Sequence, residues 1–236
     1  MGRRVVVTGG GGGIGRAIVE RFRTLGADVV AVGRGGSDVD EICDMTDEQA
    51  VASLFARVGD VDVLVNSAGI GESETLERTS LELWHRHLEA NATAPFLCIR
   101  QVLPGMLARD RGRLVTVAST AGLAGARYAA AYAASKHAAV GLMRSVAAEV
   151  AGTGVTANAV CPAYVRTEMT ERTVARIVER TARTADETAA ALGALSPLGR
   201  LLEPAEVAGA VVYLASDEAA ALNGQALVLD GGGIQR

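Results

Sequence analysis

The sequence predicts an α/β fold built on a doubly wound parallel sheet with helices on both faces. Three observations predict it: short strands that are apolar throughout, amphipathic segments alternating with them, and a glycine run where the first strand passes into the first helix. Arg4 to Thr8 is the first such strand, β-branched and unbroken. The segment that follows the glycines carries Ile14, Ile18, Phe22 and Leu25, the spacing of one helical face, and Gly26 ends it. Asp28 to Val32 reads as a second strand, and Val61 to Val65 and Leu114 to Ala118 repeat the buried-strand pattern. Helical stretches fall at about Asp47 to Val58, Leu81 to Arg109, Tyr128 to Ala151 and Pro204 to Ala215. Only eleven residues, Gly33 to Cys43, separate the second strand from Asp44. That is too few for a helix and a strand, so the crossover helix there is expected to be missing or reduced to a turn. No linker, repeat or charge block divides residues 1–236, and a single domain is expected.

Composition narrows the function. Hydrophobic residues at 49% and charged residues at 21% exclude disordered and coiled-coil chains. A net charge of −4 with scattered basic residues leaves no electrostatic footprint for nucleic acid. Cys43, Cys98 and Cys161 are odd in number and never form a C-x-x-C pair, which argues against a disulfide framework, a zinc site or any other metal centre and fits a reducing cytoplasm. The longest uncharged stretch, 150–165, has 16 residues and contains Gly, Thr, Asn and Pro, short of a membrane span. Three valines running into glycine at the N-terminus offer no signal-peptide core. No membrane association is expected.

The glycine run, Thr8-Gly-Gly-Gly-Gly-Gly-Ile-Gly15, sits at a strand-to-helix junction. Backbone N–H groups without a Cβ in the way, together with the positive end of the helix, suit a pyrophosphate. Five consecutive glycines satisfy several patterns at once, so the spacing alone says little, and a flexible linker is the competing reading. Linkers do not follow a buried strand and open an amphipathic helix.

Here the chain resembles the short-chain dehydrogenase/reductase family, whose T-G-x-x-x-G-x-G loop is matched by Thr8, Gly9, Gly13 and Gly15. Further marks run in order along nearly the whole chain. Asn66-Ser-Ala-Gly69 stands for the family's N-N-A-G, with Ser67 as a departure, and Pro162-Ala-Tyr-Val-Arg-Thr167 resembles its P-G-x-x-x-T segment, with Ala163 replacing glycine. The resemblance implies a Rossmann-type fold and a nicotinamide cofactor held by Thr8, Gly9, Gly13, Ile14, Gly15, Arg34, Asp44, Met45, Asn66, Ala68, Gly69, Tyr132, Lys136, Pro162, Val165 and Thr167, with Asp44 at the adenine amino group. The second strand ends in Gly33-Arg34, so no carboxylate meets the ribose 2′ position and a guanidinium can pair with a phosphate. NADP(H) is favoured over NAD(H), although the glycine loop carries no second cation and a solvated Arg34 is the alternative.

Tyr132 and Lys136 lie at i and i+4, on one helix face about one turn apart. A lysine charge, with the oxidised nicotinamide, can lower a phenol's pKa toward neutrality. Tyr128 is eight residues from Lys136, ~12 Å of helical rise, and cannot be tuned directly. Ser119 follows a strand at the sheet edge where ligands bind, and Asn91 occupies an unfavourable mid-helix position that suggests a functional or kinking role. By resemblance these four form the family's catalytic tetrad: Tyr132 as proton donor or acceptor, Ser119 orienting the carbonyl oxygen, Lys136 lowering the tyrosine pKa and binding ribose, Asn91 supporting a water relay. His85 and His87 sit two apart on a helix, point to different sides, and read as surface or interface residues.

Residues 163–200 fall where the family carries a substrate lid. Arg172, Arg176, Arg180 and Arg183 share an arc of about 80°, with Val174, Ile177 and Val178 opposite. They read as a solvated face over an apolar underside, or as partners for the phosphate of a coenzyme A or acyl-carrier-protein pantetheine arm. Ala118-Ser-Thr-Ala-Gly, Ala134-Ser-Lys-His and Asn158-Ala-Val-Cys-Pro resemble ketoreductases of aromatic polyketide synthesis, although Ile70-Gly-Glu-Ser replaces their Pro-Gly-Gly motif. Val155-Thr-Ala-Asn-Ala-Val and the short crossover resemble 3-oxoacyl-carrier-protein reductases. The expected activity is NADP(H)-dependent reduction of a ketone, a 3-oxoacyl thioester or polyketide, by a homotetramer. The alternatives are an NAD-dependent secondary alcohol or 3-hydroxyacyl dehydrogenase working oxidatively and a non-catalytic dinucleotide sensor.

Overall fold

The structure is a computed structural model that describes residues 2–235. Seven strands form one sheet: β1 (Arg4–Thr8), β2 (Asp28–Gly33), β3 (Glu41–Ile42), β4 (Val63–Asn66), β5 (Gly112–Val117), β6 (Val155–Pro162) and β7 (Ala226–Leu229). They lie in the order β3-β2-β1-β4-β5-β6-β7, every pair parallel. Eight α-helices accompany them among the described residues: α1 (Gly13–Thr24), α2 (Glu48–Val58), α3 (Leu81–Leu88), α4 (Ala94–Ala108), α5 (Ala130–Glu149), α6 (Glu168–Arg180), α7 (Ala185–Gly193) and α8 (Pro204–Ala215).

Alternation along the strands builds two cores. Val6, Leu64, Leu114, Ala157 and Cys161 pack with Leu54 of α2, Leu97 of α4 and Met143 of α5. Their neighbours Val5, Val7, Val65, Val115 and Val160 pack on the opposite face with Ile18 and Phe22 of α1 and Val211 of α8. Both faces are therefore sealed, as the apolar strands predict. No helix among the described residues is long and apolar enough to cross a membrane.

The link from β2 to β3 contains no helix, as expected. Gly35 and Gly36 turn the chain at φ of 151° and 103°, a region closed to most side chains. Asp40 then ties the turn back to β2, its N–H donating to Ala31 O and its carboxylate accepting from Ala31 N–H, both at 2.8 Å.

The helix expected from Leu81 to Arg109 is interrupted: a π-helical turn at Glu89–Thr93 joins α3 to α4. One extra residue in that turn aims Asn91 inward, the kinking role its sequence position suggested.

The sheet order reverses beside β1, and there the glycine loop turns into α1. A Cβ at Gly15 would lie 2.0 Å from Gly9 O, whereas one at Gly12, extended at φ −154°, meets nothing within 4 Å. Gly15→Ala is therefore expected to destabilise the ligand-free protein by about 1–3 kcal/mol, roughly 2–4 °C of melting temperature per kcal/mol at this chain length. Gly12→Ala should melt as the parent does. Equal melting temperatures for the two variants in thermal unfolding would show that the loop is not packed as described.

Candidate active site

All the segments singled out from the sequence reach the carboxyl edge of the sheet. At the nucleotide end, Thr8 closes β1, but its hydroxyl is used internally, accepting from the N–H groups of Ser67 and Ala68 at 3.2 Å each. Gly9 is pressed so closely on Ala68 that a Cβ would lie 2.8 Å from its backbone. These contacts lock the glycine loop to the turn after β4. Across the opening, Thr167 caps α6 and faces Gly13, where a Cβ would sit 3.2 Å from Thr167 Cγ2. Pro162 ends β6, and Val165 is buried and bridged to Leu202.

Arg34 emerges exposed at the end of β2. Asp44 accepts from the Thr46 N–H at 2.9 Å and the Thr46 hydroxyl at 2.7 Å. Those bonds, opposed by burial and helped by the nearby Arg34 guanidinium, hold its carboxyl below the usual range. A second cation that the sequence pattern did not reveal, Arg16 of α1, donates to Gly11 O at 2.8 Å and pairs with Asp38 at 2.8 Å. Two residues carried from the resemblance have side chains turned away from the opening. Met45 is buried, its sulfur accepting from Cys98 Sγ at 3.7 Å, and Asn66 is buried and donates to Thr116 Oγ1 at 3.3 Å. Whatever they offer a ligand is backbone.

The catalytic corner lies where β5 meets α5. Ser119 follows β5, its hydroxyl accepting from Ala121 N–H at 3.1 Å and standing near enough to the Tyr132 phenol to favour its ionised form. Lys136, one turn along α5, is buried, donates from Nζ to Val117 O at 3.0 Å and stands 5.8 Å from the Tyr132 ring centroid. The sequence led us to expect a tyrosine pKa lowered by this lysine acting with the oxidised nicotinamide. The protein's own groups supply the opposing baseline: desolvation pushes Tyr132 up, with the nearby Ser119 hydroxyl opposing it, and pushes Lys136 down to about 8. Burial without a fixed opposite charge favours the neutral form of both groups. Beneath them the buried Cys161 thiol is pushed up to about 11 by burial, which removes it as a nucleophile at neutral pH. Tyr128 is exposed, held at φ +60° just before α5, and takes no part in this corner.

Asn91 completes the corner from below. Its Oδ1 accepts from Ile70 N–H at 2.9 Å, and its Nδ2 donates to Ile70 O at 3.0 Å and to Ser135 Oγ at 2.9 Å. It thereby ties the segment after β4 to α5. A Cβ at Gly69 would lie 3.6 Å from Lys136 Nζ, and one at Gly71 would lie 3.4 Å from Tyr132 Cε2 and 3.0 Å from Met169 Sδ. The segment from Gly69 to Glu74 is thus a strap running between the catalytic side chains and α6.

The arginines of α6 meet that strap. Arg176 pairs with Glu72 at 3.4 Å and Arg180 with Glu74 at 3.1 Å, while Arg172 pairs within its own helix with Glu168 at 3.7 Å. Neither sequence reading of this row, solvated face or phosphate site, foresaw carboxylates opposite two of its members. On the other side of α6, Val174 packs with Leu192 of α7 and with Leu201. The surface assignment of the two paired histidines also needs correction: His85 is exposed, but His87 is wholly buried, with its ring edge-on to Tyr132 at 6.2 Å. Two residues apart on a helix are far apart around it, so one of the pair had to face inward.

Residues 9–233 match a family model described as Enoyl-(Acyl carrier protein) reductase. A Streptomyces violaceoruber protein named as a ketoacyl reductase of the granaticin polyketide synthase is 40% identical, the alignment covering 96% of this chain and 91% of the relative. The 3-oxoacyl-[acyl-carrier-protein] reductase of Escherichia coli K12 is 34% identical over 98% of this chain and 97% of its own. Among solved structures, a variant of the actinorhodin polyketide ketoreductase with NADPH superposes with a TM-score of 0.91 at 36% identity, covering 99% of this chain and 98% of that one. With these likenesses spanning almost its whole length, and with its glycine loop and tyrosine–lysine pair at one sheet edge, the chain belongs to the short-chain dehydrogenase/reductase family of oxidoreductases.

Proposed function

We propose that the protein reduces a ketone to a secondary alcohol with NADPH, with Tyr132 as proton donor. The observation that carries this reading is the corner that brings Ser119 beside the Tyr132 phenol, with Lys136 buried one helical turn away and 5.8 Å from the Tyr132 ring centroid. When bound, the nicotinamide supplies the hydride to the carbonyl carbon. Tyr132 gives its proton to the carbonyl oxygen, Ser119 donates to the same oxygen, and Lys136 in its charged form stabilises the phenolate left behind. Asn91 supports the relay that reprotonates Tyr132 by holding Ile70 and Ser135 in place. The glycine loop, Ala68 and Gly69, Asp44 with Met45, and Pro162 to Thr167 line the nucleotide's path, and Arg34 meets the 2′-phosphate. The cradle fits such a group, since the glycines leave backbone uncovered where a Cβ would intrude.

The substrate is a 3-oxoacyl thioester or polyketide, a reading supported by the names of the relatives. Its carrier is coenzyme A or an acyl-carrier protein, and a pantetheine phosphate has to compete with Glu72 and Glu74 for Arg176 and Arg180. The chain assembles as a homotetramer through α4, where Phe96 and Leu107 are exposed, and through the small residues of α5.

Tyr132→Phe deletes one oxygen and should lower turnover by about 10²–10⁴-fold, the range of a lost general acid. The exposed Tyr128→Phe should change it little. A panel of ketones and 3-oxoacyl thioesters, followed at the nicotinamide absorbance, tests both, and equal losses would mean that the wrong tyrosine has been assigned.

With Lys136 brought down to about 8, its charge is present on the acid side of that value and absent above it. Reductive kcat/KM for NADPH, which reports the groups of the free protein, is therefore expected to fall as pH rises through this range. A profile flat between about pH 6 and pH 10 would remove Lys136 from its assigned role.

A charge-assisted hydrogen bond from Arg34 to the 2′-phosphate is worth about 1.5–3 kcal/mol, roughly ten- to a hundredfold in affinity. Arg34→Ala should weaken NADPH by that factor, leave NADH nearly unchanged, and lose less at high salt because the contact is exposed. Tighter binding of NADH than NADPH by the parent protein in a fluorescence titration would overturn the assignment.

A further inference from the structure

His87 is a buried polar side chain beside the catalytic corner that the chemistry above leaves unused. It lies in the last turn of α3 with 0% exposure, while His85 and His137 are exposed. Its tautomer follows from its partners. Nδ1 is 2.8 Å from Leu83 O, which can only accept, so Nδ1 carries the proton. Nε2 is 3.1 Å from Glu72 N, whose N–H can only donate, so Nε2 presents its lone pair. The ring is a neutral acceptor fixed by one backbone carbonyl and aimed at one backbone N–H.

That N–H belongs to the strap. Its alternate N–H groups each find a different partner: Ile70 donates to Asn91 at 2.9 Å, Glu72 to His87 at 3.1 Å, and Glu74 to Tyr128 O at 2.7 Å. His87 holds the middle point, next to Gly71, the residue that abuts both Tyr132 and Met169. The same peptide carries the Glu72 carboxylate, which takes Arg86 at 2.7 Å and Arg176 of α6 at 3.4 Å. With the imidazole edge also against the Tyr132 ring, one side chain touches the proton donor and fixes the strap between that donor and the lid.

We propose that His87 is a positioning residue for the reduction, acting through the Glu72 N–H and the Tyr132 ring, an inference that rests on the ketone-reduction reading. Loss of the acceptor leaves the half-buried Glu72 N–H without its partner and the strap pinned at Ile70 and Glu74. Tyr132 and the lid then lose their common wall, a displacement felt in the chemical step rather than in nucleotide binding.

The test compares His87→Phe and His87→Leu, which fill the space without an acceptor, with His87→Gln, whose amide oxygen can accept from Glu72 N–H. In full-length protein of each variant, kcat with a ketone the parent turns over is expected to fall by about 10- to 100-fold for Phe and Leu, with the Kd for NADPH unchanged. Gln should recover most of the rate. Hydrogen exchange of the 69–75 peptide, measured without cofactor or substrate, should quicken in the Phe and Leu variants and return toward the parent in Gln. A parent that reduces nothing on the panel defeats the ketone-reduction reading and this positioning role with it, while the exchange data still report the strap. A folded Phe or Leu variant with the parent's kcat, or a Gln variant as slow as Phe, defeats the role of His87 while leaving that reading in place.

Discussion

The rest of the structure depends on a parallel sheet sealed on both faces, because that leaves polar chemistry only the strand ends. Side chains alternate between two apolar layers, so no functional group can project from mid-strand without being buried. At the carboxyl edge the chain leaves the sheet with unpaired backbone groups, and where the order reverses between β1 and β4 two loops must diverge. The Thr8 hydroxyl bridges that divergence by taking two N–H groups from the neighbouring loop. A residue that a motif would assign to the cofactor is thus first a fastener, and the glycine loop keeps its shape without a ligand.

The same sealing sets the electrostatics of the catalytic corner. Tyr132 and Lys136 are desolvated together, with no carboxylate among the groups that shift them, and each is driven toward its neutral form. A phenolate–ammonium pair becomes favourable there only when other charge or other hydrogen bonds enter the site. The protein's own groups therefore favour a protonated Tyr132, and Lys136 is anchored to Val117 O.

What the sequence made legible is what depends on neighbours along the chain. The i, i+4 pairing of Tyr132 with Lys136, the glycine run at a strand end and the shortage of residues after Gly33 each predict a local geometry, and each is found. What it hid depends on partners far away in the chain. Glu72 and Arg176 are 104 residues apart, and no periodicity within α6 reveals that a carboxylate waits opposite. The helical wheel places His85 and His87 on different sides without saying which side is the core; hydropathy favoured neither, and the deciding neighbours, Glu72 N–H and the Tyr132 ring, come from other elements. Met45 and Asn66 illustrate a different gap: a motif names a position without saying where its side chain points, and both side chains are bonded within the protein.

The contacts of α6 are of two strengths, which suits the lid proposed for residues 163–200. Val174, Leu192 and Leu201 bind α6 to its neighbours through apolar contact, which gives the segment a core of its own. Its grip on the strap is of another kind: the Arg176 and Arg180 side chains are 38% and 53% exposed, and pairs so open to water are worth about 0–1 kcal/mol each. Two such pairs fix a register without imposing a barrier that substrate entry could not overcome. The strap beneath is held differently, by half-buried hydrogen bonds from its backbone N–H groups to the buried side chains of Asn91 and His87, which cost more to leave unmade. The division places a firm wall against Tyr132 and a loose cover above it, so that the lid can part from the strap while the proton donor keeps its position.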